Sequence, residues 1–330
     1  QALLPPNQFE IFFHTDRAPD RDEQKAFSGE RGDRYYGVTY VGIPADHLMG
    51  EHEEPSLLKF EWEPDDHKHI KVTDVETQPK DDFILSLSEA VNNSPDQKVM
   101  VFIHGYNVEF NEASRLLAQF ASDLKFNGPV VLYSWPSQGN LTGYIGDETN
   151  AQWSTTHFVD FLKTILEEIP AKDIYLIGHS MGNRVLGHGF TKLASDLPKS
   201  YLALFKEIVM ISPDIDADVF RQDMAPRLAR TGIHTTLYAS SNDRALKASK
   251  AFHGYARAGD AGADLVVVDG VETIDASDAS GGLLGHSYFA EDRRIMEDIF
   301  SLLQTGQRAD NRFGLGAVVQ NDQRYWTFRK

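Results

Sequence analysis

Ser180 stands at the centre of Gly-His-Ser-Met-Gly, residues 178–182. A serine on a sharp strand-to-helix turn has its hydroxyl lifted clear of a sheet and set at a helix N-terminus, as a nucleophile attacking a carbonyl requires. The flanks fit that setting. Ile174, Tyr175, Leu176 and Ile177 read as a strand buried on both faces. Val185, Leu186, Phe190 and Leu193 follow at helical spacing. Gly178 and Gly182 leave room for the two backbones to approach.

A serine hydroxyl attacks only when a base takes its proton, and that base is usually a histidine oriented by a carboxylate. For an elbow serine the chain order is nucleophile, acid, histidine. His286, in a glycine-rich loop before the last helix, is the best base. His253 is its competitor; His188 lies about two turns along the elbow helix, and His234 begins a strand. Asp243, in SSNDRAL after the strand 233–240, is the best acid, with Asp214 and Asp216 in SPDIDAD as alternatives and Asp269 placed too late. Each of these aspartates equally suits a helix N-cap. The oxyanion needs two backbone donors. The Met181 N–H is one, and the Tyr106 N–H, in the turn after VFIHG, is the other. His104 reads as a brace for that turn. Trp135, Tyr144, Trp153, Phe252, Leu283 and Leu284, with Tyr106, are candidates to face substrate, though the core would suit each as well.

The elements that must carry these residues alternate. Helices are expected over 83–91, 113–124 (capped by Asn111), 158–169, 183–193, 219–229 and 288–303, and strands over 98–105, 129–137, 174–177, 207–213, 233–240 and, last, DLVVVDG at 264–270. Such alternation implies an α/β fold with a mostly parallel sheet covered on both faces, its site beyond the carboxyl ends of the strands. Residues 1–80 read as an irregular β-rich extension that adds strands at 9–13 and 35–43 and a hairpin from 57–62 and 69–75. Residues 81–303 form the catalytic core, and 304–330 an extended tail packed back on it, all within one domain.

The chain of 330 residues carries 32 basic and 49 acidic side chains, net −17, which argues against nucleic acid or an anionic membrane as partner. It has no cysteine, so thiolate chemistry and disulfides are excluded. No apolar run is long enough to span a bilayer. No cluster of histidines and carboxylates has metal-ligand spacing. The first residue is Gln1, which suggests a processed, periplasmic or secreted protein. Cloning leaves the same trace, so the cytoplasm stays open, as does the oligomeric state.

Together HGYN, GHSMG, SSNDRAL and GHSYF resemble the α/β-hydrolase superfamily. HTDRAP, the FSGERGDRYYG and VGIP segments, LYSWPS, DETNA, SPDIDADVF and ETIDAS make the chain similar, more narrowly, to the bacterial DUF900 group. The resemblance spans nearly the whole chain. It implies a serine hydrolase of the esterase type with no cofactor, Ser180 as nucleophile, His286 as base, Asp243 as acid, and Tyr106 and Met181 as oxyanion donors. The expected activity is hydrolysis of small carboxylic esters with short to medium acyl chains. Thioester or amide cleavage and acyl transfer use the same machinery, and a silent scaffold that binds at the cell envelope is the non-enzymatic rival.

Overall fold

The computed structural model of the chain describes residues 8–22, 25–44, 47, 69–139, 143–279, 292–320 and 322–329. His286, Leu283, Leu284 and the expected strand at 57–62 lie outside the described residues.

Among the described residues one eleven-stranded sheet runs through the protein, in the order β10-β11-β9-β8-β7-β6-β4-β5-β1-β2-β3. Its centre is built from β4 (Lys98–Ile103), β5 (Val130–Ser134), β6 (Asp173–His179), β7 (Phe205–Ile211), β8 (His234–Ala239) and β9 (Glu272–Asp275), all parallel. The runs VMVFI, VVLY and IVMI are buried throughout because helices cover both faces, leaving no solvent side for polar residues to occupy. On one face lie α1 (Lys80–Asn93), α3 (Tyr144–Glu168), α4 (Gly182–Ala194) and the helical run from α6 (Ala217–Val219) through the π turn Phe220–Met224 to α7 (Ala225–Thr231). On the other lie α2 (Phe110–Asp123) and α9 (Arg293–Thr305). The short α5 (Lys199–Leu202) precedes β7, and α8 (Arg244–His253) follows β8.

The N-terminal extension is part of the sheet. β1 (Gln8–Pro19) pairs parallel with β5 and antiparallel with β2 (Phe27–Gly42), and β2 carries β3 (Lys71–Gln78) on its outer side. The strands at 9–13 and 35–43 are thus found, but as parts of much longer ones.

Two expectations need correction, and a third gains definition. DLVVVDG is not a strand: after one 3-10 turn at Gly262–Asp264 the chain is irregular, although Val266 is buried. Its valines pack as a loop, and Gly270, at φ +87°, turns the chain into the strand that pairs with β8, Glu272–Asp275. The polar tail lies against the domain as an ordered part of the sheet. It forms the hairpin β10 (Leu315–Gln320) and β11 (Gln323–Phe328), with Trp326 of β11 paired parallel to Ile274 of β9. Asn111 does not cap α2. The cap is Glu109, whose N–H donates to Glu112 Oε2 at 3.4 Å.

Candidate active site

Sheet topology selects a place before any side chain is considered. From β4 the chain crosses to β5 on one side; α3 then returns it past β4 to β6 on the other, and β7, β8 and β9 continue outward. The reversal between β4 and β6 leaves a crevice at their carboxyl ends, where open parallel sheets hold ligands. Ile103 of β4 pairs with Gly178 of β6, and His179 pairs in turn with Ile211 of β7, itself level with Tyr238 of β8. HGYN, GHSMG and the chain leading to SSND therefore leave the sheet side by side.

Ser180 follows β6 directly, is 1% exposed, and adopts φ +50°. That left-handed conformation is costly for a residue with a Cβ and marks a strained turn. Three groups hold it: the Ser180 N–H donates to Ile211 O (2.9 Å), and its carbonyl accepts from Asn183 N (3.1 Å) and Asp214 N (3.2 Å). The Asn183 amide also donates to Ile211 O at 3.0 Å, tying the elbow to β7. The flanking glycines are sterically required. A Cβ on Gly182 would lie 2.2 Å from His104 O, and one on Gly178 2.4 Å from Asn183 Oδ1. A Cβ on Gly105 would lie 3.0 Å from the Ser180 Cβ, which shows how closely the HGYN turn abuts the serine. Met181, next in line, caps α4, so its N–H stands at the electropositive end of that helix.

The HGYN turn is held from behind by residues the sequence left without a role. Arg17, fully buried on β1, donates through Nη2 to Val108 O (2.7 Å), through Nη1 to Ser137 O (2.9 Å) and Ser28 O (3.2 Å), and through Nε to Ser134 Oγ (2.8 Å). Burial lowers its pKa to about 10, against the pull of Asp147 and Asp16, and the guanidinium stays charged at neutral pH. Ser137 Oγ accepts from Val108 N (3.2 Å) and donates to Asp147 Oδ2 (2.5 Å), and Asp147 Oδ1 accepts from Gln138 N (2.8 Å). HTDRAP, LYSWPS and DETNA thus converge on one turn. The only hint of this in the sequence is that these motifs carry the same family resemblance as HGYN; an arginine with no exposed surface is not something composition foretells.

His104 is buried in the same nest, stacked on Trp135 at 5.1 Å between ring centres, and Trp135 Nε1–H donates to His104 O at 2.8 Å. It is the brace expected from the sequence. Trp135 has no exposed surface, which places it behind the turn and not on a substrate-facing wall. Trp153 lies on α3 against Arg31 and His157.

Among the acids, Asp243 and Asp214 differ sharply. Asp243 stands beyond β8, two strands and about 10 Å of sheet edge from β6. Its Oδ1 caps α8 through Ala245 N (2.9 Å) and Leu246 N (3.0 Å). A carboxylate has a second oxygen, so capping and orienting a histidine are compatible. Asp214 has both oxygens engaged elsewhere: Oδ1 by Ser249 Oγ (2.7 Å) and Arg257 Nε (3.0 Å), Oδ2 by Tyr144 OH (2.5 Å). Asp216 caps α6, and Asp269 is exposed in a loop.

The other histidines have defined places. His253 Nδ1 lies 2.8 Å from Arg257 Nη2, and its Nε2 faces Glu148 at 3.5 Å, within the Asp214 network. His234 sits between Glu207 (2.6 Å) and Glu272 (2.8 Å) at the start of β8, the opposite edge of the sheet. His188 is exposed on α4. Of the substrate-facing candidates, Tyr106, Tyr144 and Phe252 form an outward series: the first two rings lie 5.1 Å apart, the next two 5.9 Å, and Phe252 is 62% exposed. Among the described residues no group of histidines and carboxylates is arranged to hold a metal, and no helix is long and apolar enough to cross a membrane.

Residues 80–305 match the model of the family described as alpha/beta hydrolase of unknown function, DUF900. The chain belongs to that family. It is 26% identical over 174 residues to the uncharacterized protein alr1448 of Nostoc, covering 42% of this chain and 45% of that one. It spans less than half the length of the curated relatives it matches. In structure it is similar to the carboxylesterase CesB of Bacillus subtilis (10% identity, 83% of this chain and 91% of that one, TM-score 0.38). A lipase-esterase related protein of Clostridium acetobutylicum is also similar (11%, 64% and 94%, TM-score 0.38).

Proposed function

We propose that this α/β hydrolase cleaves carboxylic esters through an acyl-enzyme formed on Ser180. One observation carries the reading: a serine in a strained left-handed turn, at the head of a helix, pressed against a second turn at the reversal point of the sheet. His286 takes the proton of Ser180 as its oxygen bonds the substrate carbonyl carbon, and Asp243 orients the imidazole and supports its positive charge. The N–H groups of Tyr106 and Met181 donate to the oxyanion. The imidazolium then protonates the leaving alcohol as the C–O bond breaks. Water, deprotonated by the same histidine, attacks the acyl-enzyme and releases the acid. Tyr106, Tyr144 and Phe252 supply an apolar wall suited to an acyl chain of short to medium length; Leu283 and Leu284 are further candidates to face it.

A chain-length series of nitrophenyl esters tests the activity. Ser180→Ala is expected to lower turnover by about 10⁴-fold or more with an unchanged melting temperature, and a fluorophosphonate probe should label the parent at Ser180 alone. Esterase turnover that survives the substitution removes Ser180 from the mechanism. A folded parent that neither turns over esters nor takes the probe supports the scaffold reading.

A further inference from the structure

The imidazole of His104 lies between two carbonyls that compete for its single proton. Nδ1 is 2.9 Å from Gly105 O, and Nε2 is 3.1 Å from Trp135 O. Each carbonyl can only accept, so a neutral ring satisfies one of them. Protonating both nitrogens would serve both. Burial and the neighbouring Arg17 oppose that, holding the ring well below the usual histidine range. The tie is broken at Nε2, where Arg17 Nη2 stands 3.2 Å away and Ser134 Oγ, itself accepting from Arg17 Nε, stands 3.3 Å away. A guanidinium has donors only, so it requires a lone pair on Nε2. The proton is thereby driven to Nδ1 and given to Gly105 O.

Gly105 O belongs to the same peptide unit as the Tyr106 N–H. That unit is trans, so its C=O and N–H point in opposite directions. Fixing the carbonyl against Nδ1 fixes the direction of the N–H. The other side of the turn is fixed by the same guanidinium through Val108 O. We propose that Arg17, supplied by the N-terminal strand, is a positioning residue that selects the Nδ1–H tautomer of His104 and so sets the peptide plane of the oxyanion turn. The proposal rests on the reading of the Tyr106 N–H as an oxyanion donor. It assigns a part in the chemistry to the β1–β2 extension, which lies outside the matched residues 80–305.

The test has two independent readouts. Long-range proton–nitrogen correlation spectra of the ¹⁵N-histidine protein, with His104 assigned by its loss in His104→Asn, report the tautomer without reference to activity. The parent is expected in the Nδ1–H form. Arg17→Met is expected to convert the ring to Nε2–H, now bonded to Trp135 O, and to lower kcat for a nitrophenyl ester by about 10²-fold with KM within about twofold. Affinity for a boronic acid transition-state analogue should fall in parallel. Arg17→Lys, which returns a donor-only cation, should restore the tautomer and most of kcat. An Nε2–H ring in the parent overturns the proposal whether or not the Arg17 variants fold. So does an unchanged tautomer or an unchanged kcat in folded Arg17→Met, or a loss seen only in KM. If Ser180→Ala retains full turnover while the tautomer shifts as described, the oxyanion reading has failed and the selection of the tautomer stands.

Discussion

Two buried arginine networks flank the serine, and they hold different things. On the β4–β5 side, Arg17 spends most of its donors on main-chain oxygens, those of Ser28, Val108 and Ser137. On the β7–β8 side, Arg257 and Arg184 pair with carboxylates: Asp214 with both, and Glu148 with Arg184. The first arrangement freezes a backbone. The second freezes side chains and the walls that carry Tyr144 and His253. A guanidinium directed at carbonyls orients peptide dipoles, which are what a transient negative charge senses. One directed at carboxylates cancels its own field and leaves rigid, nearly neutral packing. The first side should thus control turnover, and the second stability.

The largest expected effect lies on the second side but outside its network. Asp243→Asn should lower kcat about 10⁴-fold, since an amide favours the wrong histidine tautomer, while stability holds because asparagine caps a helix as well as aspartate does. Steady-state kinetics beside thermal melts would show it, and a modest kcat loss would return the acid role to open competition.

A crossed pair then tests the contrast directly. Asp214→Asn should cost about 3 kcal/mol of stability by stranding Arg257, with kcat within a few fold of the parent. Ser137→Ala should do the reverse. It frees the Val108 N–H and leaves Asp147 Oδ2 with the long 3.4 Å bond from Asn107 N, and should lower kcat some 10- to 100-fold, about 1–3 kcal/mol, for a smaller stability loss. Urea melts and kcat on the same preparations decide the matter. Equal behaviour of the two variants would erase the distinction.

The smallest effect concerns β1 again. His14, stacked on Tyr36 and bonded through Nδ1 to Tyr35 O, has its pKa lowered by burial from 6.5 to about 4, despite the opposing pull of the Tyr35 carbonyl and Asp16. The unfolded chain therefore binds a proton that the folded one refuses. Stability attributable to this group is intact above pH 6.5 and falls between pH 6.5 and 4, by at most about 1.4 kcal/mol per pH unit. His14→Phe should flatten the melting temperature over that window. An identical acid limb in the variant would show that other groups set it.

How much of this could be read from the sequence depended on what each residue must avoid. GHSMG and HGYN were legible because close backbone approach tolerates only glycine at 105, 178 and 182, and a fold with that need writes it in the chain. The central strands were legible because burial on both faces leaves an unbroken apolar run. DLVVVDG misled for the same reason: valines satisfied by a packed loop look like valines satisfied by a sheet. The true strand ETID is short and mostly polar, and takes its place from its neighbours β8 and β11. Arg17 was invisible as a functional residue because its partners are carbonyls more than ninety positions distant as well as nearby, and carbonyls leave no trace in composition.

The C-terminal hairpin has a consequence for anyone who shortens the protein. β9 is only four residues long, and its outer flank is covered by β11. Cutting the chain before β10 would bare a row of peptide donors and acceptors beside a mostly apolar interior, the kind of surface on which one molecule recruits another. What looks like a dispensable polar appendage is the cover of that flank, and a protein shortened before it is expected to associate through β9.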